Sequence, residues 1–191
     1  MNTLIFATNN KNKVEEIRNV INNKFNIITL EEAGIDIDIP EPHPTIEENA
    51  AEKSNFIYNL TGKNCFGEDT GLEVVALNNE PGVLSARYAG DEKSHEKNIE
   101  KVLSNLIGIK NRDSQFKTII SLIIDGNQYE FEGICKGKII DEKRGNNGFG
   151  YDPIFIPDGS NKTFAEMNMQ EKAIFSHRKK ATDKLIQFLK K

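Results

Sequence analysis

Cys65-Phe66-Gly67-Glu68-Asp69-Thr70-Gly71-Leu72 places two adjacent carboxylates between two apolar runs, the second continuing to Leu77. It reads as a short strand, an acidic break with Thr-Gly, and a second strand. Side chains alternate across a strand, so Glu68 and Asp69 cannot face the same partner. A carboxylate at a strand end, beside a hydroxyl and a glycine, is a common way to hold a metal ion or activate a water. A solvated acidic turn is the alternative reading of the same residues.

Upstream, Thr3 to Ala7 is an apolar run expected to form a buried strand. It meets Thr8-Asn9-Asn10-Lys11-Asn12-Lys13 and then a helix with Val14, Ile17 and Ile21 at helical spacing. A strand, a polar turn and a helix start together present backbone N–H groups to an anion. Lys13 in the first turn opposes the helix dipole, which makes sense if an anion sits between them. The Gly-rich Lys-Ser/Thr pattern of a P-loop is absent. Phe25 to Leu30 reads as a second strand, and the alternation of Ile35, Ile37 and Ile39 as a half-exposed strand or extended edge. Pro40, Pro42 and Pro44 then forbid regular structure and stiffen the segment that carries Glu41. Thr45 and Glu48 open a helix with capping-box spacing. Its apolar stripe is Ile46, Ala50, Ile57 and Leu60, with Asn49 and Lys53 sharing an adjacent face.

Downstream, Asn78 to Gly82 is a turn, and Ser94 caps a helix whose inner face is Ile99, Val102, Leu103 and Leu106. Phe116 to Ile124, Asp125-Gly126-Asn127 and Gln128 to Lys136 form the clearest hairpin signal in the chain. Lys138 to Ile140 and Ile154 to Ile156 read as short strands. Between them, Gly148-Phe149-Gly150-Tyr151-Asp152 frames an aromatic with glycines, which fits close approach of a flat ligand to backbone or a loop anchored by Phe149. A last helix from about Ser176 has His177, Arg178, Lys179 and Lys180 in its first turn and Ala181, Leu185 and Phe188 inward.

The bulk numbers set limits. The chain has 191 residues, enough for a sizeable core in one domain or two joined lobes. A net charge of -4 argues against a general nucleic-acid binder, which needs a basic face. Cys65 and Cys135 stand in apolar surroundings and read as buried free thiols, and with three scattered histidines they give no zinc spacing. No signal peptide and no apolar run of membrane-spanning length is expected, which points to a cytoplasmic protein with no membrane partner.

Acids in two places, cations at three helix starts or faces, and a glycine-framed aromatic suit a magnesium-bound polyphosphate carrying a planar base. The chain resembles the inosine/xanthosine triphosphate pyrophosphatase family, the house-cleaning dITP/XTP pyrophosphatases. The motifs that carry the resemblance are Ala7 to Lys13, Glu48-Asn49-Ala50 with Lys53, and Glu68 to Leu72. Pro81-Gly82 with Ser85 to Tyr88, Gly148 to Pro153, and Ser176-His177-Arg178 complete it, all in order along the chain. One departure is Asn9, where many members carry Gly; Asn tolerates positive φ better than most residues.

The resemblance implies an α/β fold of two lobes. A long mixed β-sheet with flanking helices would have a central active-site cleft, all within one domain, 1–191. It implies a homodimer and a purine nucleoside triphosphate substrate (ITP, dITP or XTP), cleaved with Mg2+ to the monophosphate and pyrophosphate. By position, Asp69 would be the proton acceptor and a metal ligand, with Glu41 the second ligand. Thr8, Asn9, Asn10, Lys11, Asn12, Lys13, Lys53 and Thr70 would hold the phosphates. Phe149, Gly150, Tyr151, Asp152, Lys172, His177 and Arg178 would hold the base and sugar.

For such a reaction water must attack the α-phosphorus in line, so the protein's task is positioning and charge neutralisation. Donors from His177, Arg178 or backbone would pair with a purine 6-carbonyl. Adenine would leave them unpaired at about 1–3 kcal/mol each. Guanine keeps that carbonyl and must be rejected at position 2. Arg178→Ala is therefore expected to lose more selectivity against ATP than against GTP. Two rivals remain at this stage: a metal-dependent phosphatase, which would release orthophosphate, and a nucleotide-binding module without turnover.

Overall fold

A computed structural model describes residues 3–21 and 25–190. In chain order the elements are β1 (Thr3–Phe6), α1 (Lys11–Ile21), β2 (Asn26–Thr29), α2 (Ile46–Thr61), β3 (Cys65–Val74) and α3 (His95–Asn105). Then follow β4 (Asp113–Ile124), β5 (Asn127–Ile139), β6 (Phe155–Pro157), α4 (Met169–Phe175) and α5 (His177–Leu189). The strands make a sheet in the order β2-β1-β3-β4-β5-β6. It is mixed: β1 runs parallel to β2 and β3, and β5 runs antiparallel to β6. The protein is α/β, as expected. Among the described residues no helix is long and apolar enough to cross a membrane.

The chain divides into two compact units, one of Met1–Asp69, Thr118–Gly133 and Arg178–Lys191, the other of Thr70–Lys117 and Ile134–His177. Strands β3, β4 and β5 each contribute residues to both. In the first unit β1 is buried on both faces, as strands paired in parallel on each side usually are. Leu4 and Phe6 join α1 residues Val14, Ile17 and Ile21 and α5 residues Ala181 and Leu185 in one cluster. Ile5 and Ala7 join Ile57 of α2, Cys65 and Ile123 in another. The Phe6 and Phe66 rings stack with centroids 4.4 Å apart. In the second unit, Leu72 and Val74 of β3 pack with Ile99, Val102 and Leu106 of α3 and with Phe116, Phe155 and Phe164.

Four local expectations change. The acidic stretch does not break β3, which runs unbroken from Cys65 to Val74 with Glu68 and Asp69 both buried. Residues 35–39 make no strand pairing; they alternate half-buried and exposed, and Ile35 and Ile39 pack against the cluster that holds Ile57 of α2. Leu60 lies 53% exposed, off the buried stripe of α2, which holds Asn49, Lys53 and Ser54 instead. The hairpin turn is the two residues Asp125 and Gly126, both at positive φ, and β5 continues through the short strand expected at Lys138. Cys65 and Cys135 are buried free thiols.

Candidate active site

Alternation along β3 decides what each acid can do. Phe66 and Glu68 share the face covered by α1 and α5, while Cys65, Gly67 and Asp69 share the face covered by α2. Gly67 lets α2 lie unusually close. A Cβ there would sit 2.5 Å from the Ala50 carbonyl oxygen and 2.7 Å from Lys53 Cβ. That contact seats Lys53 over the end of the strand segment. Its Nζ donates to Asp69 Oδ1 at 2.8 Å and to the Glu68 carbonyl at 3.2 Å. The same Nζ pairs with Glu41, carried in from the proline segment. The segment is anchored at His43, whose N–H donates to Asn49 Oδ1 at 2.9 Å while Asn49 Nδ2 donates back to the His43 carbonyl at 3.0 Å.

Burial pulls the Lys53 ammonium down, but Asp69 and Glu41 outweigh it, so its pKa stands above the ordinary lysine value. Burial likewise raises the Asp69 pKa, against the opposing pull of Lys53 and Lys13. A carboxylate raised in this way is a stronger base than a solvated one.

On the other face, Glu68 is wholly inaccessible to solvent. Its Oε2 lies 3.2 Å from Lys13 Nζ, and its Oε1 accepts from Arg178 Nη2 at 3.2 Å. Arg178 Nη1 pairs with Glu16 of α1. Burial lowers the Lys13 pKa, and Glu68 only partly offsets it. Glu68 thus stands as an anion against Lys13 at the start of α1. Neither Glu68 nor Glu16 was among the expected site residues. Adjacent acids in an apolar strand pointed to Glu68, whereas Glu16 carried no local signal. The loop before α1 is held by its own side chains. Asn10 Oδ1 accepts from the N–H of Asn12 at 3.0 Å and of Lys13 at 3.3 Å, and Thr8 Oγ1 accepts from Asn10 N at 3.1 Å. Asn9, the departure from Gly, donates from Nδ2 to the Ile37 carbonyl at 2.9 Å and so ties this loop to the segment leading to Glu41.

The first unit therefore gathers Thr8, Asn9, Asn10, Lys11, Asn12, Lys13, Glu41, Lys53, Asp69 and Arg178, and the second holds Thr70, Phe149, Gly150, Tyr151, Asp152, Lys172 and His177. In the second unit Lys172 Nζ donates to Asp152 Oδ2 at 2.7 Å, and both residues are buried. The same Oδ2 accepts from Phe149 N at 3.0 Å. Gly148 makes this turn possible: its φ is +76, and a Cβ would lie 2.0 Å from Asp152 Oδ2. Lys172 Nζ stands 5.3 Å from the centroids of both Phe149 and Phe164, within cation–π reach. Tyr151 donates its hydroxyl to the Ser85 carbonyl at 2.8 Å, and His95 Nδ1 accepts from Gly150 N at 3.4 Å. His177 stacks on Phe116, ring centroids 4.7 Å apart and 13° from parallel, which fixes the plane of the imidazole.

Chemically, the first cluster is a charged site. Lys13, Lys53 and Arg178 face Glu16, Glu41, Glu68 and Asp69, three cations against four carboxylates, a net charge of -1 when all are ionised. Among the described residues no three His, Cys, Asp or Glu side chains form a metal cage. Two carboxylates meeting at one cationic position are the donor set that magnesium uses when phosphate oxygens and waters complete its shell. Glu41 and Asp69 fit such an ion.

Residues 4–188 match the model of the Ham1 family. A dITP/XTP pyrophosphatase of Flavobacterium psychrophilum is 50% identical over 187 residues, covering 98% of each chain. One from Porphyromonas gingivalis is 46% identical over 190 residues, covering 99% of this chain and 98% of the other. Among solved structures, a Ham1 protein of Staphylococcus aureus superposes with a TM-score of 0.89 at 40% identity, covering 98% of each chain. A HAM1 protein of Coxiella burnetii gives a TM-score of 0.91 at 34% identity, covering 100% of this chain and 99% of the other.

Proposed function

The chain belongs to the Ham1 family, and from that premise we propose that it is a nucleoside triphosphate pyrophosphohydrolase acting on aberrant purine nucleotides. ITP, dITP and XTP would be cleaved to the monophosphate and pyrophosphate. The observation that carries this reading is the buried Lys53 ammonium, held at one point by Asp69 at 2.8 Å and by Glu41. Asp69, with its raised pKa, is the group to orient the attacking water and accept its proton. Lys53 and Lys13 neutralise the leaving pyrophosphate, and the self-capped Thr8 to Lys13 loop and Thr70 hold phosphate oxygens. Glu41 and Asp69 would hold a magnesium ion, which supplies positive charge to the phosphate oxygens when bound.

For the base, the proposal uses Phe149 to Asp152, Lys172, His177 and Arg178. A planar ring suits the Phe149 face, whose loop is pinned by Asp152. His177 and Arg178 are held before substrate arrives, the first by stacking on Phe116, the second by Glu16 and Glu68. Donors fixed in this way favour a purine 6-carbonyl and penalise a 6-amino group. The same reading takes the chain, 1–191, as one catalytic domain acting in the cytoplasm on the nucleotide pool. It also includes the homodimer that the motif resemblance implies, which sedimentation tests.

The test is ITP hydrolysis with magnesium, products resolved by chromatography, for the wild type and Asp69→Asn. Monophosphate plus pyrophosphate, lost in the variant, is the expected result. Orthophosphate and diphosphate would replace this reading with a phosphatase, and binding without turnover with a nucleotide-binding module.

A further inference from the structure

The family reading gives roles to Asp69, Lys13 and Arg178 but none to the carboxylate that touches two of them. We propose that Glu68 is a positioning residue that orients Lys13 and Arg178 together and thereby links recognition of the purine to seating of the phosphates. The inference rests on the pyrophosphatase reading and adds a residue and a coupling to it.

The geometry is specific. Glu68 has no solvent exposure and sits in mid-strand, where neither its backbone nor its side chain has room to wander. Its two oxygens are divided, Oε2 to Lys13 at 3.2 Å and Oε1 to Arg178 Nη2 at 3.2 Å. Lys13 ends a four-bond flexible stem, and Arg178 starts a helix, so neither head group is placed by its own backbone alone. Glu16 holds the other arm of the guanidinium, so the network reads Lys13, Glu68, Arg178, Glu16, with alternating charge. A buried carboxylate with ordinary counter-ions could be no more than a neutraliser. What distinguishes Glu68 is that its two counter-ions have different assignments, Lys13 to the phosphates and Arg178 to the base. Displacing the carboxylate frees both head groups, so alignment of the phosphates for reaction and discrimination of the base are lost together even where Lys13 still attracts polyphosphate.

Simple neutralisation and positioning predict opposite outcomes for Glu68→Gln. If Glu68 only offsets charge, the variant gains positive charge near Lys13 and should bind polyphosphate as well as or better than the wild type, with unchanged turnover. If it positions, turnover and base selectivity fall together although the phosphate site still forms.

The experiment measures magnesium tripolyphosphate binding by calorimetry, and kcat and KM for ITP and ATP, in wild type, Glu68→Gln and Glu68→Asp. The expected result for Glu68→Gln is retained tripolyphosphate binding, kcat for ITP down about 100-fold, and the ITP to ATP ratio of kcat/KM down about tenfold. Glu68→Asp, which restores the charge on a shorter arm, should recover part of both losses. Wild-type kcat in Glu68→Gln overturns the proposal. So does a lower kcat with an unchanged ITP to ATP ratio, because Glu68 would then serve the phosphates alone. Should Glu68→Gln fail to fold, Glu68→Asp carries the test, with at least about a threefold fall in the ratio expected and a wild-type ratio overturning the proposal. Absence of ITP turnover in the wild type would overturn the pyrophosphatase reading itself, and this inference with it.

Discussion

Replacing Gly67 by Ala is expected to damage catalysis through a single methyl group that touches no substrate. The added Cβ would lie 2.5 Å from the Ala50 carbonyl oxygen, 2.7 Å from Lys53 Cβ and 2.8 Å from Ser54 N. Ordinary contact begins at 3.4 Å, so the shortest of these falls about 0.9 Å short. Two of the three atoms are backbone of α2 and cannot swing away as a side-chain tip could. The helix must therefore move off β3 by most of an ångström, carrying Lys53 with it. The 2.8 Å bond from Lys53 to Asp69 would then exceed hydrogen-bond range. Overpacking of this kind costs about 1–3 kcal/mol of stability. A misplacement of about 1 Å at a reacting centre costs about 100-fold in rate. Urea unfolding and kcat for ITP hydrolysis measure the two effects separately. Gly67→Ala with wild-type kcat would refute the reasoning, because it would mean that the close approach of α2 to β3 does not place Lys53.

Asp152→Asn leaves Lys172 buried without its carboxylate, and breaking such a pair costs about 3–5 kcal/mol. It also removes the charge that accepts from Phe149 N, so thermal unfolding should shift down and KM for ITP should rise; an unchanged KM would separate this loop from substrate binding. Burial pushes the Cys65 thiol from an ordinary 9.0 up to about 12. The neutral thiol is favoured in the folded state, so its contribution is whole below pH 9 and is lost as pH climbs toward 12, by at most about 1.4 kcal/mol per pH unit. Urea midpoints at pH 8 and 10.5 should fall less steeply in Cys65→Ala, and an identical fall would remove Cys65 as the cause. Chelation of divalent metal should lower ITP turnover by about 100-fold or more, since the first cluster carries a net -1 before a polyanion arrives. Turnover that survives chelation would refute the role of Glu41 and Asp69 as metal ligands.

Much of the fold was legible because its signals are local. The apolar run at Thr3, the helical spacing of Val14, Ile17 and Ile21, and the Thr45 and Ser94 caps all mark elements that form where expected. Misreadings occurred where tertiary contacts override local chemistry. Two acids in sequence look like a turn, yet β3 continues through them because cations on both faces, Lys13 and Arg178 on one and Lys53 on the other, make the acids compatible with a strand. Residues 35–39 alternate like a strand but find no strand to pair with, so the pattern instead records packing of Ile35 and Ile39 against a neighbouring core. Glu16 was invisible for the same reason. Its contact with Arg178 spans 162 positions in the chain, and nothing near it in sequence distinguishes it from a solvated helix acid.

The two acids of β3 also explain each other. A strand that carries one buried carboxylate can supply only one face, and here both faces are covered by helices bearing cations. Asp69 meets α2 through Lys53, and Glu68 meets α1 and α5 through Lys13 and Arg178. Alternation of side chains makes two consecutive residues the shortest segment that can address both helix layers from one strand. A single acid, or two acids spaced by one residue, would take the strand carboxylate from one layer: Lys13 would lose Glu68 and Arg178 would keep only Glu16, or Lys53 would keep only Glu41. The requirement extends to Gly67, because α2 must come close enough for Lys53 to reach Asp69. It extends as well to the position of Lys13 in the first turn of α1, where the helix dipole disfavours a cation and the Glu68 carboxylate compensates. The stretch from Gly67 to Asp69 thus fixes three helices relative to one strand through charge as well as apolar packing, all within the first unit.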